Sequence, residues 1–192
     1  MLADVENRGK GMAWLVVGVL LWSFAHLFGR LAPDARAAMG KAGKGGIALL
    51  VLASLVLMTV GYRDASGAVF WVRSPAMVGI NNLLMLLALY LMVAATTRAW
   101  VTGVIRHPQL TAMKSWAVAH LLVNGDTPSL VLFGGLLAWA VVSVILINKS
   151  EPNPARVVPT SAGREVSTGL VTVLAYGAVS FLHISLGYPV FG

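Results

Sequence analysis

Four histidines, His26, His107, His120 and His183, are the residues of this chain best able to do chemistry. A neutral imidazole binds haem iron or copper through one ring nitrogen, and histidines from two helices can clamp a haem between them. The chain has no cysteine, which removes disulfides, thiolate nucleophiles, iron–sulfur clusters and Cys-ligated zinc or haem in one step. Histidine is the only strong soft-metal ligand left.

The run RHPQLTAMKSWAVAHLLVNGD, from Arg106 to Asp126, places histidine, lysine and asparagine in and around an apolar segment. Ionisable groups at membrane depth are expensive, so a functional role is their first reading. His120 shares its helical face with Met113, Trp116, Ala117 and Asn124, at spacings of three and four residues or their sums. His26 repeats the pattern, with Trp22 one turn before and Gly29 and Arg30 one turn after. A haem held by His26 could direct its propionates toward Arg30. The alternative for either histidine is a ring hydrogen-bonded to a neighbouring backbone carbonyl.

His107 precedes Pro108, a favoured first helical residue, and reads as an interfacial cap or hydrogen-bond partner. Projected along one continuous helix it would point roughly 140° away from His120, so the two are not expected to share a metal. His183 comes after Tyr176 and Val179 on a late helix and is a reserve ligand or a proton relay, with His107 the other reserve ligand. Arg106, near the inner interface, and Trp116, one turn from His120, complete the candidate cofactor-binding set. Lys114 reads as snorkelling toward headgroups. Asn124 to Asp126 reads as a turn closing its helix, with Asp126 available as a helix cap or as partner to a histidine. Gly-rich phosphate loops, HExxH, GxSxG and paired carboxylates are missing, so hydrolase and nucleotide-driven functions have no basis, and no catalytic residue is assigned.

The elements that must position these residues are apolar. Hydrophobic residues make up 58% of the 192 and charged residues 11%, against about 25% charged in soluble domains. With a mean hydropathy of +0.81, this is a polytopic, all-α transmembrane helix bundle, read as one integral membrane domain over residues 1–192. Spans of roughly 20 residues are expected at Met12 to Ala32, Gly46 to Tyr62, Met77 to Thr97 and Ser129 to Asn148. Two weaker ones, Pro108 to Asn124 and Val166 to Leu186, bring the number to about six. The polar N-terminus lacks a small-residue cleavage site, so the first span is expected to be retained. Lys149 to Glu165, with Pro152, Pro154 and Pro159, reads as an ordered turn or linker.

The formal charge of +7 is dispersed among loops with no basic, aromatic-interleaved element, so no nucleic-acid partner is expected. It orients the chain instead. With the N-terminus outside, Arg30, Arg36, Lys41, Lys44, Arg98, Arg106, Lys149, Arg156 and Arg164 lie inside, against Arg8, Lys10, Arg63 and Arg73 outside. Both termini are therefore expected on the outer face, the periplasm for a bacterial inner membrane.

FAHLFGRLAPDAR at Phe24 to Arg36, GYRDA at Gly61 to Ala65, the Arg106 to Asp126 run and LHISLGYP at Leu182 to Pro189 closely resemble the NnrU family. Its domain is shared with plant 15-cis-zeta-carotene isomerase. The resemblance covers nearly the whole chain, and RHPxL followed by WxxAHxLxNGD is its specific part. It implies a membrane bundle and, in the isomerase branch, a haem b whose ligands correspond here to His26 and His120. The isomerase's alternative cysteine ligand corresponds to Ala117, so thiolate ligand switching is not implied. The bacterial branch is associated by name with denitrification and nitric oxide metabolism.

Three functions stand as alternatives. The first is a haem b protein of nitric oxide-linked redox metabolism; the second is a haem-dependent cis–trans isomerase of a polyene. Beyond the lipid bilayer, the implied partners are an apolar polyene or quinone-like molecule and a redox partner. The third, an isoprenylcysteine-type methyltransferase, rests on the RHP of Arg106 to Pro108 but lacks the tyrosine and glycine of that motif.

Overall fold

The computed structural model describes residues 2–151 and 160–191, with side chains from residue 9 onward. It is built of helices. These are α1 (Leu2–Leu31), α2 (Pro33–Ala38), α3 (Gly40–Asp64), α4 (Pro75–Thr97), α5 (Val101–Val104), α6 (Pro108–Val123), α7 (Thr127–Ser129), α8 (Gly135–Ser150) and α9 (Ala162–Ser185). A π-helical segment, Leu130–Gly134, joins α7 to α8, and two short strands, β1 (Val69–Trp71) and β2 (Gly125–Asp126), pair antiparallel. Residues 152–159 of the expected linker from Lys149 to Glu165, which include its three prolines and Arg156, lie outside the described residues.

Five helices are long and apolar enough to cross a bilayer: Gly9–Leu31, Gly40–Asp64, Pro75–Thr97, Thr127–Ser150 and Ala162–Ser185. They match five of the six expected spans. The sixth, α6, has 16 residues, which at 1.5 Å per residue is about 24 Å and shorter than the hydrocarbon layer. Its limits are chemical. Pro108 sets its first turn, and at Asn124 the chain turns extended into β2.

The chain divides into two compact units, residues 1–71 with 125–139 and residues 72–124 with 140–192. In the first, α1 packs along α3. A Cβ at Gly61 would strike the backbone of Leu15, so only glycine permits this approach. Leu15, Val19, Met58 and Phe133 are buried in this unit.

Asn124 to Asp126 runs extended into β2 where a turn was expected, and Asp126 takes the cap role read for it, accepting from Ser129 N–H of α7 at 2.8 Å. Tyr62 and Ser129 share a hydroxyl hydrogen bond of 2.8 Å. The GYRDA and NGD segments are therefore parts of one scaffold. In the ribbon, Val69 pairs with Asp126 and Trp71 with Gly125, so Phe70 is the extra residue of a bulge.

In the second unit α4 packs on α6 and on α9. Small residues make the first contact possible, Ala88 and Ala94 from α4 and Ala112, Ala117 and Ala119 from α6 being buried. Polar pairs tie α9 to the chain around the end of α4. Thr97 and Thr168 hydroxyls meet at 2.8 Å, and Glu165 accepts from Trp100 N–H at 2.9 Å. Beyond α9, Asn82 donates to the Val190 carbonyl at 3.2 Å.

Candidate functional site

In the first unit the i, i+4 spacing of α1 stacks Trp22 and His26 on one face, their ring centroids 4.1 Å apart. Trp139 of α8 closes the cluster, edge-on to Trp22 at 5.5 Å and to His26 at 5.0 Å. His26 Nδ1 lies 2.9 Å from the Trp22 carbonyl oxygen. A carbonyl only accepts, so Nδ1 carries the proton and Nε2 is the nitrogen with the lone pair. His26 is exposed on the helix surface, and Arg30 comes one turn later, also exposed.

In the second unit His120 and His183 repeat this chemistry. His120 donates Nδ1–H to the Trp116 carbonyl at 2.9 Å and stacks on the Trp116 ring at 4.9 Å. Its own carbonyl accepts from Asn124 Nδ2 at 2.9 Å. His183 donates Nδ1–H to the Val179 carbonyl at 2.9 Å, and its carbonyl accepts from Tyr188 N–H beyond the helix end at 2.9 Å. Both are half-buried.

His107 is different. It occupies the N-cap position of α6 without a side-chain cap bond, and Nε2–H donates to Asn148 Oδ1 at 2.9 Å. Of its expected roles the structure shows the hydrogen-bond partner. Arg106 donates to the Glu151 carbonyl at 3.0 Å, tying the start of α6 to the end of α8.

The two readings of the intramembrane histidines, ligand or ring bonded to a carbonyl, are thus compatible. Metal-ligating histidines commonly donate their second nitrogen to a carbonyl or carboxylate, which fixes tautomer and ring orientation. Among the described residues no group of three or more His, Asp or Glu gathers to hold an ion, so a cage made of protein ligands alone is not offered there. A haem supplies four ring nitrogens and asks the protein for one or two axial ligands. The donor set fits that demand. A second observation agrees: Trp22 Nε1 is buried and meets no hydrogen-bond acceptor among the described residues, a state that costs about 1–3 kcal/mol until an acceptor arrives.

His26 and Arg30 belong to the first unit, whereas His120, Trp116, Arg106, His107 and His183 belong to the second. Trp139 was not singled out from sequence, and neither was Asn148. Trp139 lies just beyond the π segment, where i→i+5 bonding adds a residue to the turn and rotates all later side chains of the helix by roughly 100° relative to an unbroken α-helix. Asn148 is distant in sequence from His107, and nothing local signals the pair.

Helices of this length and apolarity define an α-helical integral membrane protein. The chain belongs to the NnrU family, whose model, described as NnrU protein, matches residues 14–190. No curated protein and no solved structure matches the chain.

Proposed function

We propose that this NnrU-family protein holds a haem b in the membrane, with His26 and His120 as axial ligands, and serves redox chemistry linked to nitric oxide metabolism in denitrification. The observation that carries the reading is the shared geometry of the histidines: in each, Nδ1–H is fixed on the carbonyl four residues earlier, which sets the tautomer in which Nε2 would be the coordinating atom. The assignment of these two rather than His183 rests on the family resemblance, and His183 has the same tautomer as reserve. Bound haem would supply one-electron chemistry at iron. The chain's own part is to present the imidazoles, stack Trp22 and Trp116 beside them and place Arg30 where it can pair with a propionate. In this reading residues 1–192 act as one domain of a bacterial inner membrane protein, with both termini periplasmic.

A second reading, cis–trans isomerisation of a polyene, draws on the exposure of His26 on the surface of the apolar helix α1. In a bilayer that surface is open to a lipid-borne polyene or quinone-like molecule. A reduced-minus-oxidised spectrum of the purified protein with pyridine haemochrome assay tests the cofactor. Turnover of 15-cis-zeta-carotene by the reduced protein selects the isomerase, and a stable bis-histidine spectrum without turnover selects the redox protein. Absence of haem from protein expressed with ample haem supply overturns both.

A further inference from the structure

The ribbon of β1 and β2 presents an apolar lip with no role in the histidine chemistry. Between Asp64 and Arg73 the chain reads ASGAVFWV, with no charged residue. Within it Val69 is 65% and Phe70 59% exposed. The fold holds them so. Trp71 lies against Gly125, where any Cβ would strike the indole, and Thr127 N–H donates to the Ala68 carbonyl at 3.0 Å. With both neighbours of the lip fastened to β2 and α7, the bulge sends Phe70 out of the ribbon.

Chain connectivity fixes where this lip lies. It falls in the ten residues, 65–74, that join two helices each long and apolar enough to cross the bilayer. Its own strand covers three residues, about 10 Å. A loop this short, pinned as a ribbon directly beyond a membrane helix, stays at the depth of headgroups and upper acyl chains. Aromatic and aliphatic side chains at that level are stabilised by the interface, and water would be the worse solvent for them. An exposed apolar pair on a rigid support is what a lipid surface accepts.

We propose that Val69 and Phe70 form a membrane-surface anchor that inserts into the boundary between headgroups and acyl chains. The absence of native cysteine makes the test direct. Full-length F70C, V69C and S66C variants are each labelled with a nitroxide and reconstituted in vesicles of equal parts phosphatidylethanolamine and phosphatidylglycerol. Ser66 is also exposed but polar and serves as the reference. The label at position 70 should be several-fold more accessible to oxygen and several-fold less accessible to a water-soluble nickel chelate than the label at 66, and 69 should behave likewise. Nickel accessibility at 69 and 70 as high as that of the free nitroxide in buffer places the lip in water and overturns the proposal. Protection from both reagents at 69 and 70 means that protein covers the lip, and this also overturns it. The two sites are independent substitutions at exposed positions, so either labelled protein that enters the vesicles decides between these outcomes.

Discussion

Trp22 meets His26 twice: its carbonyl takes the imidazole Nδ1–H at 2.9 Å, and its indole lies 4.1 Å from the imidazole ring. The first contact sets which nitrogen can coordinate, and the second fixes the plane in which it does so. Trp116 stands in the same two relations to His120, with the rings 4.9 Å apart.

The histidine substitutions separate ligands from bystanders. His26→Ala or His120→Ala should lose haem or convert a low-spin spectrum to a five-coordinate one. His107→Ala should keep the low-spin signature, because its Nε2–H serves Asn148. An intact spectrum in His120→Ala together with its loss in His183→Ala would transfer the second ligand to His183.

Trp22→Phe keeps an aromatic ring beside His26 and deletes a buried N–H that meets no acceptor among the described residues. Removing an unsatisfied donor is favourable, but phenyl is smaller than indole and gives up packing against Trp139, so the haem-free protein should change by less than about 2 kcal/mol in detergent unfolding. Destabilisation beyond roughly 2 kcal/mol would show that the N–H is satisfied.

Tyr62→Phe should destabilise the first unit by about 1–2 kcal/mol, since it leaves the fully buried Ser129 hydroxyl without its partner. Asp126→Ala, which removes the α7 cap, should cost about 1 kcal/mol. Thermal unfolding of each variant, with haem content measured alongside, checks that these are scaffold effects.

Reporter fusions after Ile105 and after Asp126 bracket α6 and should report opposite sides of the membrane if this helix crosses. Its 16 residues make that crossing the weakest link in a six-span topology with both termini outside. The same side for both reporters would leave five crossings and move the C-terminus to the inner face.

Much of this was legible because it is local. The spans, the i, i+4 partners of His26 and His120, and the cap at Asp126 come from periodicity and short-range chemistry. Trp139 was not legible, because a helical wheel continues α-helical phase through Leu130–Gly134 and misplaces every later side chain. The ribbon was hidden for another reason: its strands have three and two residues, too few for an alternation signal. The bond from His107 to Asn148 joins segments that only tertiary packing brings together.

The acceptor that orients each intramembrane imidazole belongs to the polypeptide backbone, four residues earlier in the same helix. No side-chain substitution at position 22, 116 or 179 deletes that oxygen. The tautomer is thus inherited from helicity itself, and the neighbouring side chain can vary to tune what surrounds the ring while Nδ1 stays the protonated nitrogen. A designer placing a ligand histidine in a membrane helix would obtain the same orientation without committing a second residue to it.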